Sequence, residues 1–496
     1  MRIGVRCISD IDVKSDLLVL NHYEGSKSLS ESAKAADRAL NGMISKLIKD
    51  GEISGKLGKI TLIHNAGKLK VGKIAIVGLG KKEKLDLDAI RTAASAAINK
   101  AREIKAKTLA TVIHGAGIGG LKAFESSKAI VEGSVLGLYR FAGYAKEKDP
   151  PEFRVLELIL IECDRSKIKP IKAGAELGRI IAEAENHARD LVNAPSNKMT
   201  PTGFAKLAGH IAKINKLKFT SLDPKKEGMG ALCSVAKGSD EPPRLVALEY
   251  RGNPKSKEKI ALIGKGITFD SGGISLKPSK NMEEMKADMA GAAAVLGIMS
   301  LLSDFKPKKN VIGVIPLTEN MPSGHATKPG DVATSLSGYT IEVINTDAEG
   351  RLILADAITY AKRRGATKMI DIATLTGGCI VALGDAASGI IGNNDEMIGQ
   401  LIKTGNQNGQ KMWQLPLYDE YKDMMKSKIA DIKNSSETGM ASPSTGAAFL
   451  SKFVGDTPWA HLDIAGTAYI TKHSKYLAEG ATGVPVRTII EWLLNY

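Results

Sequence analysis

Short β-branched segments alternate with helical segments along most of the chain, and this alternation limits the possible folds more than any other feature. In the first 168 residues the strand-like runs are KITLIHNA, KIAIVGLG and TLATVIHGAG, and the helical runs are LDAIRTAASAAINKAREI and SSKAIVEGSVLGLYRFAGYA. Such alternation predicts a layered α/β structure with a largely parallel sheet. A last strand, RVLELILIE, follows a charged stretch at 145–153 that we interpret as a turn.

A long helical pattern, AGAELGRIIAEAENHARDLVN, spans residues 173–193 and ends just before Pro195. We interpret it as a helix that links an N-terminal domain, residues 1–168, to a larger domain, residues 169–496. The second part alternates again, with strands RLVALEYRG, KIALIGKG, NVIGVIPLTEN, YTIEVINT, which leads into NTDAEGRL, and MIDIATLTG. The sequence therefore predicts two α/β domains, and the larger one should contain a mixed, mainly parallel sheet.

Composition argues against several classes of protein. The four cysteines are scattered without a CxxC pair, and the eight histidines form no HxxxH or HExxH, so neither a disulfide scaffold nor a histidine-built zinc site is favoured. We see no apolar run near the roughly 20 residues that a membrane span needs. The first residues, MRIGVRCISDIDVKSD, lack the apolar region of a signal peptide, so we expect a cytoplasmic protein without membrane contact.

The net charge of +15 is concentrated in the first part of the chain. Residues 1–150 hold 26 Lys and Arg against 16 Asp and Glu, a difference of +10. Such an excess is compatible with contact with nucleic acid or other anions, but a solvated lysine surface is the favoured explanation. The segment lacks the clustered aromatic and arginine residues that stack on or read bases.

Two glycine-rich segments resemble nucleotide-binding motifs but lack the necessary context. Residues 115–120, GAGIGG, fit GxGxxG, yet an acid at the end of the next strand should follow about 20 residues later. The acids of the next strand come much further on, so a tight strand-to-helix turn is favoured. Residues 67–73 fit GxxxxGK, but Ile74 replaces the Ser or Thr that a P-loop needs.

Charged residues follow the strand KIALIG in the segment IGKGITFDSGGISLKPS, which carries Lys265, Asp270 and Lys277. Ligands in open α/β sheets gather beyond the carboxyl ends of strands. Another acid, Asp288 in MKADMAGAAAV, lies at the start of the helix that follows. We therefore expect these four side chains to approach one pocket.

A second group of charges lies in NTDAEGRL, where Asp347 and Glu349 are two residues apart and Arg351 follows. In extended backbone, residues two apart point to the same side. Carboxylates brought together repel one another, and divalent cations remove that cost. Oxygen ligands suit magnesium, manganese or zinc. Because acids next to glycine or serine are also common in turns, the spacing alone leaves an ordinary surface role open.

The two segments together closely resemble the leucyl aminopeptidase (cytosol aminopeptidase) family. NTDAEGRL matches the family signature without departure, and GKGITFDSGGISLKPS matches its other metal segment at every functional position. The resemblance continues through DLVNAPSNKMTP, MKADMAGAAAV, DIATLTGG and HLDIAG, and so covers essentially all of residues 170–496. The first 168 residues resemble the family only in organisation, and they are similar to macro domains.

This resemblance implies a metallo-exopeptidase with two divalent ions per subunit, manganese or zinc. Asp270 and Glu349 are implied to bridge both ions, and a neutral Lys265 is implied to ligate one of them. A metal-activated water would attack the peptide carbonyl. The enzyme would prefer substrates whose first residue is leucine-like. The full set of implied metal ligands is Lys265, Asp270, Asp288, Asp347 and Glu349.

Lys277 and Arg351 are implied to be the catalytic pair. Lys277 would act as the electrophile at the carbonyl oxygen, and Arg351 would hold a bicarbonate that serves as general base. A further set of residues is implied to line the substrate pocket: Met285, Thr374, Leu375 and Gly377.

The family also implies a homohexamer whose inner cavity admits only short peptides. Some relatives double as DNA binders, so an added DNA-binding role through the basic N-terminal domain is the alternative function. A third interpretation, ADP-ribose binding as in macro domains, rests only on GAGIGG. Two departures from the family pattern, Ala290 in place of Gly and Gly378 in place of Ala, predict only small packing changes.

Overall fold

The structure is a computed structural model that describes residues 1–65, 67–117, 120–145, 153–436 and 438–496. The described chain divides into two compact units, Met1–Glu183 with His473–Ala478, and Ala184–Lys472 with Glu479–Tyr496. The predicted domain boundary near residue 168 stays a prediction. Most of the turn predicted at 145–153 lies outside the described residues.

The N-terminal unit is built on a six-stranded sheet within its described residues. The strands are β1 (Arg2–Cys7), β2 (Ser15–His22), β3 (Ile60–His64), β4 (Val71–Gly78), β5 (Thr108–Val112) and β6 (Glu157–Glu162). The helices are α1 (Glu31–Ala39), α2 (Met43–Lys49), α3 (Leu87–Glu103) and α4 (Ala123–Gly137), with a 3-10 turn at Lys82–Lys84 and the start of α5 (Arg165–Asn193).

The strand order is β1-β6-β5-β2-β4-β3, and every neighbouring pair is parallel except β3 with β4. Side chains of β2 alternate between two apolar clusters, with Leu17 and Val19 in one and Leu18 and Leu20 in the other. Burial of both faces is typical of a parallel sheet covered by helices. The chain continues from β2 to one side of the sheet and from β5 to the other, which creates a topological switch point between these two strands.

Helix α5 begins at Arg165, earlier than the predicted start at residue 173. Asp164 explains the earlier start, because its Oδ1 accepts hydrogen bonds from the Ser166 backbone N–H (2.9 Å) and the Ser166 hydroxyl (2.6 Å). Pro170 lies inside the helix and removes one backbone donor there, which is why the sequence favoured a later start. The helix continues past Glu183, where the two units divide.

Residues 473–478 belong to the N-terminal unit although they come from the far end of the chain. The Tyr476 hydroxyl donates a hydrogen bond to Asp88 Oδ1 (2.8 Å), and Lys475 forms an ion pair with the same carboxylate. Tyr476 also packs with Leu136 and Ala182. A short C-terminal segment thus adds a small apolar cluster and a buried polar contact to the N-terminal unit.

The larger unit contains a nine-stranded sheet and two small sheets within its described residues. Its strands are β7 (Lys218–Leu222), β8 (Arg244–Arg251), β9 (Lys259–Gly264), β10 (Gly266–Asp270), β11 (Asn310–Asn320), β12 (Val332–Thr334), β13 (Thr340–Glu342), β14 (Lys368–Ala373), β15 (Ser388–Gly392), β16 (Met412–Gln414), β17 (Ile432–Lys433), β18 (Trp459–Asp463), β19 (Tyr469–Ile470) and β20 (Gly480–Ala481).

Helices pack around this sheet. They are α6 (Pro201–Ile214), α7 (Gly230–Ala236), α8 (Ala290–Phe305), α9 (Gly350–Arg363), α10 (Gly377–Leu383), α11 (Asp395–Gln407), α12 (Asp419–Asp423), α13 (Ser442–Val454) and α14 (Val486–Asn495), with a 3-10 segment at Met282–Met289.

The main sheet runs β16-β15-β18-β14-β9-β11-β8-β7, with β10 beside β11. Its centre, β18-β14-β9-β11, is parallel, whereas β8 pairs antiparallel with β11 and with β7, and β15 antiparallel with β18. The predicted fold class, α/β with a mixed and mainly parallel sheet, is therefore confirmed.

The stretch Met282–Phe305 has the length and apolar composition of a membrane span, contrary to expectation. However, 83 % of its most apolar window is buried, and it forms part of the core.

Candidate metal and substrate site

One cavity in the larger unit brings together every residue that the sequence singled out. Its volume is about 590 Å³. It is lined by Lys265, Asp270, Lys277, Met285, Asp288, Asp347, Glu349, Arg351, Thr374, Leu375 and Gly377. Their convergence is observed here, whereas the individual roles stay predictions.

Strand ends position several of these side chains. Lys265 lies between β9 and β10, and Asp270 is the last residue of β10. Thr374 follows β14, the parallel neighbour of β9. Glu349 directly precedes α9, so its carboxylate lies at the positive end of that helix.

The strand expected before NTDAEGRL is shorter than predicted and lies outside the main sheet. Only Thr340–Glu342 is a strand, and it belongs to the three-stranded sheet β12-β13-β17. After it, the backbone N–H groups of Ile344 (2.8 Å) and Asn345 (3.3 Å) donate to the Asn434 side chain instead of a neighbouring strand. The contact with Asn434 therefore ends the strand pairing of β13.

Two lysines cross-link the carboxylates of the cavity. Lys265 Nζ lies 2.8 Å from Asp288 Oδ1 and 2.7 Å from Glu349 Oε1. Lys277 Nζ lies 2.8 Å from Asp270 Oδ2 and 2.5 Å from an Asp347 oxygen. Lys265 also donates a hydrogen bond to the Thr374 carbonyl (2.8 Å). Two ammonium groups thus hold four acids together.

The carboxylate geometry fits bound cations. Asp270, Asp347 and Glu349 each offer an oxygen within 4.8 Å of the others. In this cavity, three buried carboxylate oxygens accept no hydrogen bond from the described residues: Asp288 Oδ2, Asp347 Oδ1 and Glu349 Oε1. A lysine amine is within ion-pair distance of the last two but not in hydrogen-bond geometry. Asp288 Oδ2 has neither contact, and since native proteins rarely leave buried polar atoms unpaired, this oxygen indicates a ligand for a cation.

Burial and the neighbouring charges shift the pKa values of the cluster. Burial raises the pKa of Asp288 well above its usual value and also raises the pKa of Glu349. Burial alone would lower the pKa of Lys265, but Asp288, Glu349 and Asp270 outweigh it and raise that pKa. Such mutual perturbation in a cleft is typical of functional sites.

Arg351 differs from the two lysines because no carboxylate forms an ion pair with it among the described residues. Burial lowers the pKa of its guanidinium to about 10, so the group keeps its charge near neutral pH. Its Nη1 donates to the Asn434 carbonyl (2.8 Å), whereas its Nε has no partner in the described chain. The guanidinium therefore retains donors for an anion.

Two glycines allow the close approach of the ligand-bearing segments. A Cβ atom at Gly350 would lie 2.7 Å from Lys265 Cε, so only glycine leaves room for that lysine beside α9. Gly272 has a φ of +87°, and a Cβ there would meet Asp347 Oδ1 at 2.9 Å. The glycine that follows Glu349 in the signature is thus explained by packing.

Asn434 stabilises the signature loop, and no sequence motif pointed to it. This fully buried side chain accepts from two N–H groups of the loop and donates through Nδ2 to the carbonyls of Asn345 (2.7 Å) and Ala348 (3.2 Å). Its own carbonyl holds Arg351. It lies more than 80 residues from the loop along the chain, beyond the reach of motif spacing.

We expect replacement of Asn434 by alanine to lower kcat for leucine p-nitroanilide by about 10- to 100-fold, the usual cost of removing a group that orients ligands. Asn408→Ala is the matched control, since Asn408 is also fully buried and donates to Thr404 O (3.0 Å) and Glu491 Oε2 (3.1 Å) away from the cavity. The control should lose stability but keep kcat. Equal kcat losses in the two variants would contradict a positioning role.

Two other supporting residues were also missed. Asn320 Nδ2 donates to Asp270 Oδ1 (2.8 Å) and to the Thr346 carbonyl (3.0 Å), which joins both metal segments. Asp463 accepts from the Leu375 N–H (3.1 Å) and the Thr376 hydroxyl (2.7 Å), which fixes the loop after β14. The partners named here lie 26 to 88 residues away along the chain.

One of the two departures from the family pattern has a local explanation. A Cβ atom at Gly378 would lie 2.2 Å from the Ser442 hydroxyl, so that serine requires glycine here. Nothing in the structure explains Ala290, which is buried at the start of α8.

Comparison with known proteins identifies the family. The catalytic-domain model of the cytosol aminopeptidase family matches residues 186–490, and the N-terminal-domain model of the same family matches residues 19–148. A probable cytosol aminopeptidase of Alkaliphilus oremlandii is 44 % identical over 481 residues, 96 % of each chain. The cytosol aminopeptidase of Pseudomonas aeruginosa is 42 % identical over 499 residues, which cover 100 % of this chain and 99 % of the relative.

Solved structures agree with this assignment. A mutant of tomato leucine aminopeptidase superposes with a TM-score of 0.87 at 32 % identity, covering 100 % of this chain and 97 % of the other. The bottromycin maturation enzyme BotP in complex with Mn has a TM-score of 0.85 at 33 % identity, covering 96 % and 98 %. The resemblance predicted from the motifs is therefore confirmed: the chain belongs to the cytosol aminopeptidase family and is a metal-dependent aminopeptidase, a hydrolase.

Proposed function

We propose that this aminopeptidase removes the first residue of short peptides and prefers leucine-like side chains. The observation that carries the proposal is the group of oxygens from Asp270, Asp347 and Glu349, within 4.8 Å of one another, beside the buried Lys265. Acids, amines and a guanidinium in one cavity are suited to metal-assisted hydrolysis.

Five residues would hold two divalent ions, manganese or zinc: Lys265, Asp270, Asp288, Asp347 and Glu349. The bound ions would supply Lewis acidity, which polarises a carbonyl and lowers the pKa of water. The solved complex of the relative BotP with Mn supports manganese. Lys265 must lose its proton to become a ligand, and the cation would then replace the positive charge that Asp288 and Glu349 now receive from its ammonium group.

Lys277 would stabilise the negative charge that develops on the carbonyl oxygen. Its carboxylate partners Asp270 and Asp347 raise its pKa against the effect of burial, so the amine is an ammonium at neutral pH. With 22 % of its side chain exposed, it reaches the cavity rather than the core. A charged donor aimed at a developing oxyanion is among the strongest sources of catalysis.

Arg351 would hold a bicarbonate ion that acts as general base. A guanidinium offers five donors in a planar fork that matches planar oxyanions, and only one of them is used by Asn434 O. Held there by Arg351, the ion would supply general acid–base chemistry to the hydrolysis.

The substrate side chain would lie against Met285, Thr374, Leu375 and Gly377. No atom lies within 4 Å of an ideal Cβ at Gly377, so this glycine leaves free volume in the cavity. Ile380 and Ala468 add apolar wall nearby. Such a surface favours aliphatic residues over charged ones.

Metal removal combined with a substrate panel tests the proposed function. Dialysis against a chelator should abolish hydrolysis of aminoacyl p-nitroanilides, and manganese or zinc should restore it, with leucine cleaved faster than glycine or aspartate. Chelation without loss of activity would reject the metal assignment, and equal rates for all three anilides would reject the leucine preference.

Other properties are proposed on the family alone. We infer domains at 1–168 and 169–496, a homohexamer, and a cytoplasmic location, the last supported by the name of the Pseudomonas relative. DNA binding through the basic N-terminal domain stays a prediction. Sedimentation and a gel shift at physiological salt are the corresponding measurements.

A further inference from the structure

The N-terminal unit contains a cavity of its own, of about 630 Å³, which the proposed chemistry does not use. It lies beyond the carboxyl ends of β2, β5 and β6, and its wall includes Tyr23, Ile113 and Cys163, which follow these strands. This is the topological switch point of the sheet, where α/β folds commonly bind ligands. The volume suits a small molecule.

A single buried acid dominates the polar wall of this cavity. Asp10 is 8 % exposed, and burial raises its pKa. Its Oδ1 accepts from the Ser9 hydroxyl (3.3 Å) and the Ile11 N–H (3.1 Å). No cationic side chain in the described part of the chain forms an ion pair with it. A buried carboxylate without a cation is costly, so it favours a ligand that brings positive charge.

The start of α1 provides a complementary feature of the same cavity. Ser30 caps the helix, and the backbone N–H groups of Glu31 and Ser32 have no acceptor among the described residues. The carboxylate of Glu31 is paired with Lys34 at 2.5 Å. Free N–H groups at the positive end of a helix favour a carboxylate.

The remaining wall limits the ligand further. Ile8, Leu29 and Ile161 give the cavity an apolar lining beside its polar groups. The charged lining consists of Asp10, Glu31 and Glu162 against Lys82, so a polyanion such as a nucleotide would meet net repulsion.

We propose that this cavity binds a free amino acid with an apolar side chain. Its ammonium group pairs with Asp10, its carboxylate meets the start of α1, and its side chain packs on the isoleucine and leucine wall. The proposal goes beyond the hydrolytic function and does not depend on the roles assigned to the metal site. Amino acids are what an aminopeptidase releases, so occupancy of this cavity would follow product concentration.

Hydrogen exchange of the full-length holoenzyme tests the proposal, because it reports where a ligand binds. L-leucine should slow exchange in peptides that cover residues 8–13 and 26–34, independently of any change at 265–288. Asp10→Asn should weaken this protection at least tenfold. Asp12→Asn is the matched control, since Asp12 is an exposed acid two residues away, paired with Lys70 at 3.1 Å, and it should bind as the wild type does.

Three analogues of leucine separate the contributions of its ammonium group and its carboxylate to binding. 3-Methylbutylamine and 4-methylpentanoate each lack one charged group, and each should protect less than leucine. Leucinamide represents a peptide N-terminus and should also protect less, since it lacks the carboxylate. The proposal is overturned if leucine gives no protection of these peptides at millimolar concentration, if leucinamide or ADP-ribose protects better than leucine, or if Asp10→Asn binds leucine normally while its melting temperature is unchanged.

Discussion

Replacement of Glu349 by glutamine is expected to reduce kcat for leucine p-nitroanilide by about 10³-fold or more, because a lost metal ligand removes several kcal/mol of transition-state stabilisation. The Glu349 oxygen lies 2.7 Å from Lys265 Nζ and within 4.8 Å of the Asp270 and Asp347 oxygens. Glutamine keeps the size of the side chain but loses the charge and the second carboxylate oxygen. Metal content, measured by elemental analysis, should fall with activity.

Glu258→Gln is the matched control for this variant. Glu258 is an exposed acid of the same unit that pairs with Lys368 at 2.8 Å, so its loss should leave both kcat and metal content unchanged. Both variants should melt near the wild-type temperature. A Glu349→Gln enzyme with normal turnover would show that the cluster is not the metal site.

Lys277→Ala is expected to lower kcat by about 10²- to 10³-fold, the usual cost of removing one donor to a developing oxyanion. Metal content should stay near that of the wild type, since Lys277 is assigned to the carbonyl oxygen and not to the ions. In the metal-free protein, loss of the ammonium group also removes the ion pairs that Lys277 forms with Asp270 and Asp347.

Lys280→Ala provides the comparison, because Lys280 is exposed three residues further along the same loop. It should leave kcat unchanged. If Lys277→Ala lost its metals in proportion to its activity, the lysine would have to be assigned to ion binding instead of the carbonyl oxygen.

The strongest predictions from sequence concerned residues whose partners are close in the chain or follow adjacent strands. Lys265 and Asp270 follow the central strand β9, and the parallel sheet places Thr374 beside them. Asp347 and Glu349 do approach one another, as predicted. However, Asp347 lies in a loop and Glu349 directly precedes α9, so neither lies in the extended strand that their spacing suggested.

Contacts between distant parts of the chain could not be predicted. Asn434 and Asn320 have no spacing that relates them to the signature, yet their amide groups fix its backbone. The shortened strand before NTDAEGRL has the same cause, since Asn434 takes the hydrogen bonds that a strand partner would have received. The early start of α5 was hidden by Pro170, because a proline usually argues against a helix.

The segment 473–478 has a consequence for how the protein is made. One small apolar cluster of the N-terminal unit is incomplete until the ribosome has synthesised residue 478 of 496, since Tyr476 packs there with Leu136 and Ala182. A fragment that stops at residue 183 would leave the Asp88 carboxylate without Lys475 and Tyr476. The first unit to emerge is therefore among the last to reach its final form.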